Sequence, residues 1–239
     1  MKPINHKVPL IKQGLQECAQ ASATEMLQFY GKNKSIDEVK KEVPVYVSSD
    51  GKPLGTSLGH IASYFIRQGF ATTIHTTDLQ IFDRTWGNLS NIEIIGKLKE
   101  RKKYISHPSY EQPEFDVILD GYLQFLNIGG QINFPIITNN YIYELLSRGP
   151  IFAVVNYQFL NSSPKTTFNI ESGEIMDADL AGNTGTHSIV ISGFHEEKYI
   201  ITDPDYKYGG IREIDQDHLL GSIYLAETDY DNLLITLAQ

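Results

Sequence analysis

The chain has little cysteine, little positive charge and no long apolar run, and each shortage excludes a class of protein. A single cysteine, Cys18, among 239 residues excludes an internal disulfide framework and a cysteine-based zinc cluster. The net charge of -9 argues against nucleic acid as the main partner, because phosphate binding needs basic patches. No run of about 18 consecutive apolar residues occurs, so we expect no membrane span.

The remaining composition is that of an ordinary globular protein, with 41% hydrophobic and 21% charged residues. A chain of this length suits one domain of generous size or two small ones. We predict a single domain over residues 1–239, mainly helical in 1–148 and mainly sheet in 149–239. The first residues hold no apolar run of the kind that a secretory signal needs. We therefore expect a cytoplasmic protein, with signal-independent secretion left open, and the sequence indicates no oligomeric state.

The spacing of apolar residues divides the chain into helices followed by strands. Helical periodicity begins after Cys18, Ser35, Thr56 and Ser90. Runs with the length and composition of strands follow Pro150, at residues 151–157, 186–194, 199–204, 208–214 and 233–237. This order predicts an α+β fold in which an N-terminal helical half packs on a C-terminal antiparallel β-sheet.

Cys18 lies at the predicted start of the first helix. Polar residues precede it, small and apolar residues then recur on one helical face, and Gly31 supplies a C-terminal stop. Backbone N–H groups and the dipole at a helix start favour a thiolate, which lowers the pKa of a cysteine and makes it a nucleophile. On this stretch alone, a buried cysteine that acts only as a small hydrophobic residue is an equally good interpretation.

A cysteine nucleophile needs a base, and seven histidines are available. His187 differs from the rest because it opens an apolar strand directly after the small residues 181–186, so that a strand end fixes its side chain beside a cleft. Asp203 ends the next predicted strand, and a hairpin between the two strands can bring it near His187 as the partner of the second ring nitrogen. The alternative for Asp203 is a simple turn signal with the proline that follows. The other histidines are predicted in exposed or loop-edge places or on helices; they are His6, His75, His107, His195, His60 and His218.

The reaction also needs hydrogen-bond donors for a developing oxyanion. The backbone N–H of Cys18 is one, and the side-chain amide of Gln13 or Gln16 is a second. The alternative for both glutamines is an exposed loop position. Nothing in the sequence indicates a cofactor or a metal ion, and we expect neither.

These residues, taken in order, resemble the papain-like fold and are most similar to the bacterial C39-like cysteine peptidases. The chain has a glutamine, a cysteine at a helix start, a His-Ser-Ile-Val-Ile-Ser-Gly strand at 187–193 and an Asp-Pro pair at 203–204. In that family a glutamine and a Cys-Gly pair open the first helix, the histidine begins a His-x-Val-Val-x-Gly strand, and an Asp-Pro pair follows. The resemblance implies that Cys18 is the nucleophile, His187 the base, Asp203 its orienting partner and Gln13 the oxyanion donor.

The resemblance covers residues 8–76 and 141–214 and leaves the middle of the chain uncovered. It also has two departures. Ala19 stands where the family has glycine after the cysteine, which affects the space for substrate or the backbone of the oxyanion hole. Gln13 precedes Cys18 by five positions rather than the more usual six, so Gln16 remains an alternative.

The resemblance implies a cysteine hydrolase that cleaves a peptide or amide bond through a thioester acyl-enzyme, with a peptide or amide as its substrate. An acyl or peptidyl transferase on the same scaffold is an alternative, because sequence does not show whether water reaches the thioester. A non-catalytic binding module that kept the fold is another, and an intact set of cysteine, histidine and aspartate disfavours it.

The uncovered middle, residues 77–135, is rich in aromatic side chains. Aromatic rings bury large areas and also bind peptide side chains well. We predict that this segment packs on the helical half and forms part of the substrate cleft; ordinary core packing is the alternative for each ring. The aromatic residues concerned are Phe82, Trp86, Tyr104, Tyr110, Phe115, Tyr122, Phe125 and Phe134.

Overall fold

A computed structural model describes residues 1–47, 51, 53–104, 112–169, 171–226 and 233–239. The helices are α1 (Cys18–Phe29), α2 (Ile36–Glu42), α3 (Leu58–Arg67), α4 (Asn91–Arg101), α5 (Gln112–Asn127), α6 (Asn139–Leu146), α7 (Tyr157–Asn161) and α8 (Gln216–Tyr224), with a short 3-10 helix at Arg84–Asn88. The strands are β1 (Ile4–Asn5), β2 (Tyr46–Val47), β3 (Pro53–Gly55), β4 (Ala71–Thr76), β5 (Gln131–Asn133), β6 (Ile151–Asn156), β7 (Thr166–Asn169), β8 (Glu174–Asp177), β9 (Thr186–His195), β10 (Lys198–Asp203), β11 (Gly210–Asp215) and β12 (Leu233–Ala238).

One mostly antiparallel sheet forms the centre of the molecule. Its strand order is β11-β10-β9-β6-β12-β4-β5, and β1 also pairs with β9. Only β4 and β5 run parallel among these described pairs. Two short hairpins, β2-β3 and β7-β8, lie outside the main sheet. Because β4 and β5 belong to it, the first half of the chain also contributes to the sheet.

The sheet separates two hydrophobic cores. Successive side chains of β6 point to opposite faces of the sheet and so enter the two cores alternately. Phe152 and Val154 enter the first core, whereas Ile151, Ala153 and Val155 enter the second. β6 is therefore buried on both faces, as its continuous apolar run predicts.

Helices cover both faces of the sheet. α1, α3 and α5 contribute to the first core, while α6 and α8 contribute to the second. This arrangement confirms the predicted α+β fold with an N-terminal helical half packed on the sheet. No helix in the described parts of the chain combines the length and apolar character that crossing a membrane requires.

The middle segment packs on the helical half through α5, which lies against α3. The two helices are closest at a pair of glycines: a Cβ added to Gly59 would lie 2.3 Å from the backbone carbonyl carbon of Gly121. Glycine is needed here because the two backbones approach each other directly. The predicted packing of this segment on the helical half is therefore observed.

The aromatic residues of the middle segment are mainly core residues. Five of the eight lie in the first core, Tyr104 is exposed, Phe134 packs against the core while partly buried, and Tyr110 lies outside the described residues. Ordinary core packing, the alternative to a cleft wall, thus describes the five buried rings: Phe82, Trp86, Phe115, Tyr122 and Phe125.

Candidate active site

The start of α1 is fastened to the start of β9. Cys18 is the first residue of α1, and one turn later Ser22 Oγ donates a hydrogen bond to the backbone oxygen of Ser188 at 2.9 Å. Ser188 directly follows His187 on β9. This contact brings Cys18 and His187 together at one end of the sheet.

His187 also contacts Asp203 on the neighbouring strand. Its Nε2 lies 2.8 Å from Asp203 Oδ1, which leaves Nδ1 as the nitrogen that can take a proton from Cys18. Thr202 pairs with Val190 across β10 and β9, so Asp203 and His187 are diagonal neighbours on one face. Both side chains are buried, with 3% of His187 and 0% of Asp203 exposed. The structure thus brings together the three residues that the sequence singled out.

The electrostatics of this group favour a thiolate. Burial acts to raise the pKa of the Cys18 thiol, but the hydrogen bond and positive charge of His187, with hydrogen bonds from Ser188, lower that pKa below its ordinary value. Burial acts to lower the pKa of the His187 imidazole, but its hydrogen bonds to Asp203 and Cys18 raise it above the ordinary value. Both shifts favour a thiolate at Cys18 beside an imidazolium at His187.

Asp203 is held as a carboxylate in this buried place. Burial acts to raise its pKa, but the hydrogen bond and charge of His187, followed by the backbone N–H of Asp205 and the side chain of Arg212, lower the pKa to about 2. The carboxylate is therefore ionised at neutral pH and stabilises the imidazolium. Among the described residues, no group of three His, Cys, Asp or Glu side chains could hold a metal ion.

A solved protein structure resembles the fold of the whole chain. No protein-family model matches the sequence, and a search of curated proteins finds no match. A search of solved structures finds a Bacillus anthracis protein described as a C39-like peptidase, with 12% identity, a TM-score of 0.52 and a match that covers 100% of this chain and 98% of that one. The chain has the C39-like peptidase fold.

Two further solved structures are similar at lower TM-scores. The peptidase domain of Streptococcus ComA, described as a bifunctional ABC transporter of a quorum-sensing pathway, is 15% identical, with a TM-score of 0.43 over 97% of this chain and 98% of that one. A double-glycine-motif protease from an AMS/PCAT transporter, solved with a leader peptide, is 16% identical, with a TM-score of 0.39 over 99% of this chain and 97% of that one.

Within the C39-like fold, the segment that carries Gln13 is tied to the end of β10. The backbone N–H of Gln13 donates to the Pro204 oxygen at 3.0 Å, and Lys12 Nζ donates to the Asp205 oxygen at 2.7 Å. Gln13 Oε1 is buried and has no hydrogen-bond partner among the described residues. Gln16 has a φ of 57° in the turn that leads into α1, and no hydrogen bond in the described structure holds its side chain. Gln13 is thus anchored through its backbone, and no side-chain hydrogen bond in the described structure separates the two candidate donors.

Two side chains of the site were not found from the sequence. The ring of Tyr157 stands edge-on to the His187 ring, with 5.4 Å between centroids, and Arg212 Nη2 lies 3.1 Å from Asp203 Oδ2. Neither belongs to a local motif. The register of the hairpin formed by β10 and β11 is the signal that would have pointed to Arg212.

Glu25 is a further ionisable group on α1, two turns beyond Cys18. It is 0% exposed. Its Oε1 accepts the Ile11 N–H at 3.0 Å, and its Oε2 has no partner among the described residues. Burial raises its pKa to about 9, in spite of the opposing hydrogen bond from Ile11. Glu25 is therefore neutral at pH 7.

We expect Glu25→Gln to abolish the decrease in stability that Glu25 causes in the wild type as pH rises above 4.5. The folded protein keeps a proton that the unfolded chain releases above the ordinary pKa of 4.5, so the free energy of unfolding falls as pH rises from 4.5 toward about 9. The slope is at most about 1.4 kcal/mol per pH unit. Urea unfolding between these pH values should show the variant gaining stability over the wild type as pH rises. The exposed Glu144→Gln is the control and should follow the wild type; a parallel course for all three proteins would contradict the expectation.

Proposed function

We propose that the protein is a cysteine-nucleophile hydrolase that cleaves a peptide or amide bond through a thioester acyl-enzyme. The observation that carries the proposal is the position of His187 between the other two residues. Its Nε2 lies 2.8 Å from Asp203 Oδ1, and its hydrogen bond and charge lower the pKa of Cys18. The C39-like peptidase fold supports the same reaction class. The substrate is a peptide or amide.

In the first half of the reaction, the Cys18 thiolate attacks the substrate carbonyl carbon and the carbonyl π electrons move to oxygen. The backbone N–H of Cys18 and the side-chain amide of Gln13, or of Gln16 as the alternative, are the proposed donors to this oxyanion. His187 then gives its Nδ1 proton to the leaving amine, the C–N bond breaks, and a thioester remains on Cys18.

In the second half, water replaces the amine. Neutral His187 takes a proton from water at Nδ1, the resulting oxygen nucleophile attacks the thioester, and the Cys18 thiolate leaves as the carboxylic acid forms. Asp203 accepts the Nε2–H throughout, which fixes the ring orientation and stabilises each imidazolium state.

A peptide mixture digested in ¹⁸O-labelled water tests both halves. We expect the wild type to produce new C-termini that carry ¹⁸O, because water resolves the thioester, and we expect Cys18→Ala to produce none. Mass spectrometry of the peptides gives both results. Equal products from Cys18→Ala would contradict the proposed nucleophile, and new amide products without ¹⁸O would replace hydrolysis by acyl transfer.

A further inference from the structure

Asp203 has a second charged partner besides His187. Arg212 Nη2 lies 3.1 Å from Asp203 Oδ2, and the same nitrogen donates to Asn161 Oδ1 on α7 at 2.6 Å. Asp203 Oδ1 receives His187 Nε2 and, at 3.0 Å, the N–H of Asp205. Each carboxylate oxygen therefore has a donor, and one of them belongs to a permanent cation.

The pairing of β10 with β11 explains why Arg212 reaches this carboxylate. Asp203 pairs with Gly210, and Ile201 pairs with Arg212. Arg212 is thus the diagonal neighbour of Asp203 on the same face of the sheet. Gly210 has a φ of 136°, a value that side chains rarely adopt, and it places no side chain between the arginine and the carboxylate.

The charges of the group alternate once Arg212 is included. Thiolate, imidazolium, carboxylate and guanidinium then stand in sequence, and the cluster has no net charge. A carboxylate with 0% exposure is costly unless it is paired and hydrogen-bonded. An arginine suits this place because it stays protonated at every relevant pH and its planar fork fixes direction.

Other ionisable groups near Asp203 do not supply this positive charge. Glu25 on α1 is neutral, because its pKa is raised by burial. Tyr157 on α7 is neutral as well, because burial and nearby carboxylates raise its pKa. Asp205, next along the chain, directs its carboxylate to the N–H groups of Lys207 and Tyr208. Lys12, from the segment before α1, directs its Nζ to the backbone oxygen of Asp205 at 2.7 Å. Apart from His187 itself, Arg212 is the cation that hydrogen-bonds to the Asp203 carboxylate within the described structure.

We propose that Arg212 is a positioning residue of the active site, which neutralises the buried charge of Asp203 and holds its carboxylate toward His187. The proposal rests on the proposed function, because its consequence is the activation of Cys18. Without Arg212, either Asp203 takes up a proton and His187 loses its support, or Asp203 stays charged and its uncompensated field reaches Cys18. Both changes move the formation of the thiolate to higher pH.

Alkylation of Cys18 by iodoacetamide measures the pH at which the thiolate forms and requires no known substrate. Mass spectrometry gives the labelling rate of the single cysteine across pH for the wild type, Arg212→Met and Arg212→Lys. We expect Arg212→Met to raise the midpoint by about one pH unit, the lower end of the shift that an adjacent opposite charge produces, because Arg212 acts on Cys18 through Asp203 and His187. Arg212→Lys keeps the charge and should recover at least half of that shift.

Lys198→Met is the matched control. Lys198 lies on β10 and pairs with Glu213 of β11 at 3.8 Å, in solvent, so its loss removes one positive charge from the same two strands. We expect the pH midpoint of Cys18 labelling in Lys198→Met to equal that of the wild type. Circular dichroism and thermal unfolding establish that each variant is folded, and Arg212→Gln, which keeps a donor without the charge, replaces Arg212→Met if the methionine variant does not fold.

The outcomes separate this proposal from the proposed function. A wild-type midpoint at or above about 8.5, the ordinary thiol value, would overturn the activated nucleophile and with it the role of Arg212. A low wild-type midpoint that folded Arg212→Met or Arg212→Gln leaves unchanged would overturn the role of Arg212 alone. A purely structural arginine would lower the unfolding temperature and leave the midpoint in place.

Discussion

Alanine at Cys18, alanine at His187 and both changes together are expected to reduce peptide cleavage to nearly the same extent. Residues that act as one unit show strongly non-additive losses, because removing either one already abolishes the shared step. Each single variant should lose at least about a thousandfold in kcat/KM, and the double variant should lose little more. The basis is the contact of His187 with both Asp203 and Cys18.

His195→Ala is the control for this experiment. His195 ends the same strand, β9, but its side chain is 47% exposed, so its removal should leave the rate near that of the wild type. Cleavage rates are measured on a peptide identified by the ¹⁸O digestion. Near-normal turnover by His187→Ala would remove that residue from the site and transfer the role of base to His195 or to His60.

Trp86→Ala is expected to cost about 3–5 kcal/mol of folding free energy, the usual range for deleting a buried aromatic ring. Trp86 is 9% exposed and lies in the first core. Its ring meets the Phe82 ring edge-on, and Lys97 Nζ lies 5.6 Å from its centroid. The kcat and KM of the folded fraction should stay at their wild-type values, because the ring belongs to the core.

Thermal and urea unfolding measure the stability. Cleavage kinetics at a temperature where the variant is folded measure kcat and KM. Tyr104→Ala is the control, since its side chain is 76% exposed, and it should change neither quantity by much. A raised KM with unchanged stability for Trp86→Ala would instead make this ring part of the substrate cleft.

The parts of the fold that the sequence predicts well are those with local causes. Gly31 ends α1 with a φ of 79°, as a glycine after a helical run indicates. Ser35 opens α2 with a capping box, which a serine followed three residues later by a glutamate signals. Cys18 and His187 were found because each stands at the boundary of a regular element, and such boundaries are visible in a single sequence.

The residues that the sequence places wrongly are fixed by tertiary contacts with distant parts of the chain. His75 was predicted in an exposed or loop-edge place, but it is 4% exposed, and its ring nitrogens bond to Tyr141 and Thr236 from distant elements. Helical periodicity was predicted to begin directly after Thr56, yet α3 begins at Leu58 with Ser57 as its N-cap residue. The Thr56 hydroxyl instead accepts a hydrogen bond from Gln20 Nε2 at 2.7 Å. Partners so far along the chain leave no local pattern.

The position of β12 has a consequence for the order in which the protein folds. β12 follows every other strand that the structure describes, yet it lies between β6 and β4, and Leu234 pairs with Ala153 on one side and His75 on the other. We therefore expect β4 and β5 to stay unconnected to β6 during synthesis until residues 233–238 have left the ribosome. β6, β9 and β10 can pair before that, because their contacts are complete once residue 203 has emerged. We expect His187 and Asp203 to be in register before β12 joins β4 and β5 to the rest of the sheet. The pairing of β12 is then the slow, non-local step.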